Sequence, residues 1–183
     1  MNVITTPLAG LLIIEPKVFG DSRGFFFETY QKQRYQQAGI ECEFVQDNIS
    51  RSQYGVLRGL HYQLQYSQAK LVSVLRGKVF DVAVDIRRNS PTFGQWFGIE
   101  LSEENHKQLF VPQGFAHGFS VLSETVDFCY KCSELYHPED EKGIAWNDPA
   151  LSINWQLSEP QLSAKDQQYV NLEEMPPEHL PIL

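Results

Sequence analysis

Short β-type runs broken by turn residues at close intervals most constrain this chain, because almost no stretch between them is long enough to serve as a crossover helix. The first run is 11–19 (LLIIEPKVF), closed by the turn 20–24 (GDSRG) and followed by 25–30 (FFFETY). A polar stretch to Ala38 reads as a short helix that Gly39 would end. Further runs are 44–50, 55–63, 70–75, 79–86, 95–101, 108–111, 119–122 and 126–132, with a tight hairpin expected at Arg76, Gly77 and Lys78. That makes roughly nine strands. Without crossovers a parallel sheet is excluded, and a jelly-roll or related double-sheet barrel with a few short peripheral helices is the natural closure. In 79–86, Phe80, Val82, Val84 and Ile86 share one face and Asp81 and Asp85 the other, so one side is expected to be core and the other wet.

The 183 residues suffice for one domain with a sizeable core, expected at about 3–168, with a tail of about 169–183 that is poorly ordered or packed down. A hydrophobic content of 42% and an aromatic content of 13% belong to a globular chain. The net charge of −8 argues against nucleic acid or an anionic membrane as the main partner, while leaving room for a local basic pocket that binds a small anion. No signal peptide or membrane-spanning run is visible, and three cysteines, an odd number, suit reduced thiols in a cytoplasm. Cys129 and Cys132 match a C-x-x-C spelling, but in a strand an i, i+3 pair points to opposite faces, which suits neither zinc nor redox chemistry.

The run 55–63 (GVLRGLHYQ) carries Arg58 and His61 through an apolar strand, and buried charges need partners. Taken alone, His61 reads as a hydrogen-bonded core histidine. Together with 111–119 (VPQGFAHGF), however, the run resembles the paired motifs of the cupin superfamily. Metal-binding cupins continue the first motif as His-x-His with a nearby glutamate. Here position 63 is Gln63 and no acidic residue occurs between His61 and Asp81, which leaves His61 and His117, too few for a transition metal. The barrel reading stands without a metal site, and the two histidines become candidates for acid/base or binding work. Tyr130 shares its strand face with Val126, Phe128 and Cys132, so its phenol is expected to point inward.

Several longer segments occur in order: 19–28 (FGDSRGFFFE), 44–48 (FVQDN), 56–61 (VLRGLH), 70–72 (KLV), 79–87 (VFDVAVDIR), 112–119 (PQGFAHGF) and 162–166 (LSAKD). Over nearly the whole chain this set resembles the dTDP-4-dehydrorhamnose 3,5-epimerase family. The resemblance implies inversion of two carbons beside a ketone in a dTDP-linked 4-keto-6-deoxyhexose, with no cofactor and no metal. Such C–H bonds are acidic only when the enolate oxygen is stabilised, so a base, an acid on the opposite face and a positive group are needed. By resemblance His61 is the base, Asp166 its orienting carboxylate, Tyr130 the acid and Lys70 the enolate-stabilising group. Arg23 and Arg58 match diphosphate ligands, and Glu28, Gln46 and Asn48 match nucleotide contacts. Tyr136 matches the thymine-stacking aromatic, His117, Glu141 and Lys165 line the ligand, and Phe19 and Phe26 are apolar walls. The family also implies a homodimer in which an N-terminal strand joins the other protomer's sheet and supplies some nucleotide contacts.

Two alternatives remain at this level: relatives that epimerise a single carbon of a related sugar nucleotide, and a noncatalytic sugar-nucleotide-binding barrel. Arg58 and His61 also raise a geometric question. Three residues apart on an ideal strand, they point to opposite faces, so either Gly59 marks a bulge or Arg58 reaches the ligand around an edge. A Ser163-x-x-Asp166 spelling is compatible with a capping turn as well as with a site carboxylate.

Overall fold

A computed structural model describes all of residues 1–183. Its elements in chain order are β1 (Asn2–Thr5), β2 (Leu12–Glu15), β3 (Phe19–Asp21), β4 (Gly24–Phe26), α1 (Lys32–Gln37), β5 (Gln46–Gln53), β6 (Leu57–Gln63), β7 (Lys70–Arg76), β8 (Lys78–Asp85), β9 (Trp96–Ser102), β10 (Gln108–Val111), β11 (Phe115–Val121), β12 (Thr125–Cys132) and β13 (Glu141–Gly143). They form a six-stranded sheet, β1-β2-β10-β7-β12-β5, a five-stranded sheet, β13-β6-β11-β8-β9, and a separate β3–β4 hairpin. Every ladder between strands is antiparallel, as the short connections require. The architecture is the all-β, cupin-type double-sheet barrel expected from the strand pattern.

Three apolar clusters hold it. Val72, Val74, Val126 and Phe128 of the larger sheet meet Val79, Ala83, Phe115, Phe119 and Val121 of the smaller one inside the barrel. Behind the five-stranded sheet, Leu57, Leu60, Val82, Val84 and Ile86 are covered by Ile144, Leu151, Trp155, Leu172 and Leu180. The tail is therefore packed down at Leu172 and Leu180. Behind the six-stranded sheet, Tyr35 of α1 and Ile40 cover Ile14, Leu71 and Phe110, and the Tyr35 hydroxyl donates to Gln108 Oε1 at 2.6 Å.

The strand count rises from about nine to thirteen chiefly because β1, β3 and β13 are too short for a run to announce them. The run 25–30 is strand only to Phe26. The expected wet face of β8 is a correction of a different kind. Asp81 and Asp85 are both fully buried, since β8 lies inside its sheet between two apolar clusters. Each is retained by partners: Asp81 faces His117, and Asp85 accepts from Arg87, Ser90 and Thr92. Burial pushes the Asp85 carboxyl up, but those donors outweigh it and hold it at about 2.

Candidate active site

Strand register assembles the site. On the six-stranded sheet Lys70 pairs with Cys132, Cys132 with Gln46, and Tyr130 with Asn48, so these five side chains share the inward face. On the five-stranded sheet His61 pairs with both His117 and Gly143, and Gln63 with Glu141. The two faces enclose a cleft in two lobes. The outer lobe, about 300 Å³, is lined by Gln46, Asn48, Gln68, Tyr136 and Glu141 among others, and the inner lobe, about 170 Å³, by Ser50, Arg58, His117 and Phe128. His61, Lys70 and Tyr130 line both lobes. His61 thus faces Lys70 and Tyr130 from the opposite sheet.

Asp166 arrives by a parallel bridge. Gln161 pairs with Val56 and its carbonyl accepts from the Leu57 amide at 2.9 Å, so five residues further along both segments Asp166 meets His61. His61 Nε2 and Asp166 Oδ1 are 2.6 Å apart, and Asp166 is buried. The capping-turn reading of Ser163 holds as well, because the Asp166 amide donates to Ser163 Oγ at 3.1 Å. Burial raises the Asp166 carboxyl, while its hydrogen bond and charge interaction with His61, with Ser163 and the Gly59 amide adding to them, bring it below the ordinary value. With Nε2 occupied, Nδ1 is the nitrogen left for the cleft, and Glu141 Oε1 is 3.9 Å from it.

Burial pushes the Tyr130 phenol up, so it carries its proton at neutral pH. Burial lowers the Lys70 ammonium, against the opposing charges of Cys132, Glu141 and Asp81. Burial also raises Glu141, but Lys165, Tyr136 and His61 together bring it below its ordinary value. Glu141 contacts Lys165 and accepts from the Tyr136 hydroxyl at 2.6 Å, which gathers three of the expected ligand positions at the mouth of the cleft.

The question at Gly59 is decided by register. Between His61 and Arg58 β6 advances three residues while β11 advances two, from His117 to Phe119, so β6 carries one extra residue. This bulge brings Arg58 and His61 to the same cavity. It needs bare backbone: Gly59 has φ +126°, and a Cβ there would lie 2.6 Å from Gly118 Cα, while a Cβ on Gly118 would lie 2.6 Å from the Arg58 carbonyl. The Arg58 guanidinium donates through Nε and Nη2 to Ser52 Oγ at 3.1 Å.

Four expected residues lie elsewhere. Phe19, Phe26 and Glu28 gather at a second concavity of about 790 Å³ against Met1 and Val3. Arg23 stands on the hairpin, 88% exposed and paired with Asp21 at 2.6 Å. Sequence reasoning missed other parts of the site. Asp81 was expected in water but holds His117 Nε2 through both oxygens at 3.0 Å. Gln63 is spent on loops, donating to the Tyr66 and Leu135 carbonyls and accepting from the His137 amide. Tyr169, which no motif flagged, packs on His61. No group of three or more His, Cys, Asp or Glu side chains is arranged to hold a metal ion.

A family model described as dTDP-4-dehydrorhamnose 3,5-epimerase matches residues 5–174. The chain belongs to that family. The Salmonella typhimurium dTDP-4-dehydrorhamnose 3,5-epimerase is 56% identical over 169 residues, covering 91% of this chain and 92% of its own. Among solved structures, the Legionella pneumophila dTDP-6-deoxy-D-glucose-3,5-epimerase in complex with dTDP-4-keto-L-rhamnose superposes with a TM-score of 0.97 at 58% identity, over 100% of this chain and 98% of that one. A 3'-monoepimerase from Streptomyces bikiniensis in complex with dTDP-quinovose keeps the shape, at TM-score 0.90 over 97% of this chain and 91% of its own, with 32% identity. The 3,5-epimerase family members thus stand well above the monoepimerase in shared residues.

Proposed function

We propose that this protein inverts C3 and C5 of dTDP-4-keto-6-deoxy-D-glucose, giving dTDP-4-keto-L-rhamnose, without a cofactor. The reading rests on one observation above all: a histidine held by a buried carboxylate faces a protonated phenol and a lysine across a cleft between two sheets. His61 Nδ1 takes the proton from the carbon beside the ketone, the C–H electron pair moves into the enolate, and Lys70 stabilises the oxygen that gains the charge. Tyr130 then delivers its proton to the same carbon from the opposite face, which inverts it. The phenolate and the imidazolium return to their starting forms by exchange with water, and the cycle repeats at the second carbon. Asp166 keeps the His61 proton on Nε2, so that Nδ1 remains the acceptor.

Arg58 binds the diphosphate, Gln46, Asn48, His117, Glu141 and Lys165 line the sugar nucleotide, and Tyr136 stacks on the thymine. Arg23, Glu28, Phe19 and Phe26 act in the cleft of a second copy within a homodimer, which accounts for their distance from His61. The reaction belongs in the cytoplasm, in keeping with three unpaired cysteines.

Incubation with dTDP-4-keto-6-deoxy-D-glucose in deuterated water tests the reading. Deuterium is expected at both C3 and C5. Label at one carbon only would make the protein a single-carbon epimerase, and no label would make it a binding module.

A further inference from the structure

His61 is secured at one point. Its hydrogen bond to Asp166 fixes the position of Nε2, but one bond leaves the imidazole free to turn about that contact, and the χ2 torsion of histidine has broad wells. On the side of Nδ1 lies the cleft, where Glu141 Oε1 is 3.9 Å away, beyond the reach of a hydrogen bond that could hold the ring. A second constraint is needed, and Tyr169 is in place to provide it. Its ring centroid is 5.8 Å from that of His61 with the planes at 69°, an edge-to-face contact. Tyr169 lines neither lobe of the cleft, so it touches His61 from outside the substrate space.

The chain is built to seat this ring. Gly143 is the β13 residue paired with His61, and a Cβ there would lie 2.4 Å from two carbons of the Tyr169 ring. The ring therefore lies flat on bare backbone beside His61. The following residue is tied down too, since the Ala145 amide donates to the Val170 carbonyl at 2.9 Å. The phenol oxygen is buried and has no hydrogen-bond partner. What the position uses is the ring and not the hydroxyl.

Building on the epimerase reading, we propose that Tyr169 is a positioning residue for His61: seated on Gly143, its ring works with Asp166 to hold the imidazole in the plane that aims Nδ1 at the substrate carbon. A misplacement of about 1 Å at a reacting atom can cost about 100-fold in rate. Tyr169→Leu is accordingly expected to lower kcat about 10- to 100-fold with KM within about threefold of wild type, because no substrate contact is lost. Tyr169→Phe restores kcat to within about twofold.

Gly143→Ala pushes the ring off its seat from below, so it is expected to lower kcat in the wild-type background and to add no further loss when combined with Tyr169→Leu. The imidazole nitrogen resonances of His61, read by NMR in the unliganded variants, give a measure independent of turnover. Sharp resonances from one ring orientation are expected in wild type and Tyr169→Phe, and resonances broadened by exchange between orientations in Tyr169→Leu, with the proton on Nε2 throughout. The proposal is overturned if Tyr169→Leu keeps wild-type kcat and sharp His61 resonances, if Tyr169→Phe falls as far as Tyr169→Leu, or if the Gly143→Ala and Tyr169→Leu losses add. Should Tyr169→Leu fail to fold, Gly143→Ala decides by the same NMR readout, unchanged line widths counting against the proposal. Wild-type protein that places no label on either carbon would overturn the epimerase reading instead, leaving the NMR comparison to judge Tyr169.

Discussion

His61 and His117 stand opposite each other in the β6–β11 ladder, and each is bonded through Nε2 to an aspartate, Asp166 and Asp81 respectively. The environments diverge from there. The His61 side chain is 26% exposed and its carboxylate is delivered by a surface turn after Gln161. His117 is 8% exposed, Asp81 not at all, and both carboxylate oxygens engage the one nitrogen inside the main core. The same pair of residue types thus gives an accessible imidazole in one case and a buried fixture at the floor of the cleft in the other. What separates them is how far the pair is sunk.

The largest effect that can break this comparison is at His61. His61→Ala is expected to lose about 10³- to 10⁴-fold in turnover and to abolish solvent deuterium uptake at both carbons, as removal of the one base for both steps requires. Uptake surviving at either carbon would assign the base elsewhere, and His117 would be the first candidate. Next comes the facing wall. Tyr130→Phe removes the donated proton but not the base, so about 100-fold or more of inversion is expected to be lost while wash-in of deuterium without inversion persists in part. Equal loss of both would erase the division of labour between the two sheets.

A matched pair of aspartate substitutions then sharpens the contrast between the two histidines. Asp166→Asn is expected to cost about 100-fold or more in kcat, because the imidazole loses the carboxylate that fixes its tautomer and orientation. Asp81→Asn replaces one of the two oxygens at His117 Nε2 with an amide nitrogen that cannot accept, and is expected to cost about 1–3 kcal/mol of stability, read by denaturant unfolding, with kcat within about tenfold of wild type. If Asp81→Asn proved the more damaging to kcat, the exposed pair would not be the working one.

The barrel was legible in the alternation of apolar residues and in the turns between them, and β12 shows why. Val126, Phe128, Tyr130 and Cys132 do face inward together, as a period of two demands. The same rule misread β8, because alternation reports polarity and not depth. With apolar clusters on both sides of the sheet, Asp81 and Asp85 had nowhere wet to go, and only their partners, distant in sequence or local to a turn, explain them. Gly59 showed where alternation breaks but not how, since a bulge is a relation between two strands and only one was in view. The pairing of His61 with Asp166 was reached through resemblance, and the parallel bridge at Gln161 that creates it leaves no mark in the local sequence. Tyr169 had no signal of its own. The signal lay in Gly143, a small residue in a short strand whose reason becomes visible only when the ring above it is seen.

The smallest expected effect concerns pH. Because Asp166 lies below the ordinary carboxyl value of 3.8 in the fold, the unfolded chain binds a proton there at a pH where the folded one does not. Its carboxylate therefore contributes stability that is fully present above about pH 4 and is lost as pH falls through the lower folded-state value. A hydrogen bond to a charged group is worth about 1.5–3 kcal/mol at best, and this one is partly offset by the burial that opposes it. The difference in unfolding free energy between wild type and Asp166→Asn is thus expected to be about 1–2 kcal/mol at pH 5. Below pH 4 it should shrink, as the wild-type carboxyl takes up the proton that makes it resemble the amide. Urea unfolding of both proteins across that range reads the difference directly. A gap that persists undiminished to pH 3 would mean that shape and not charge is what Asp166 supplies to the turn, and His61 would then owe its orientation to its neighbours alone.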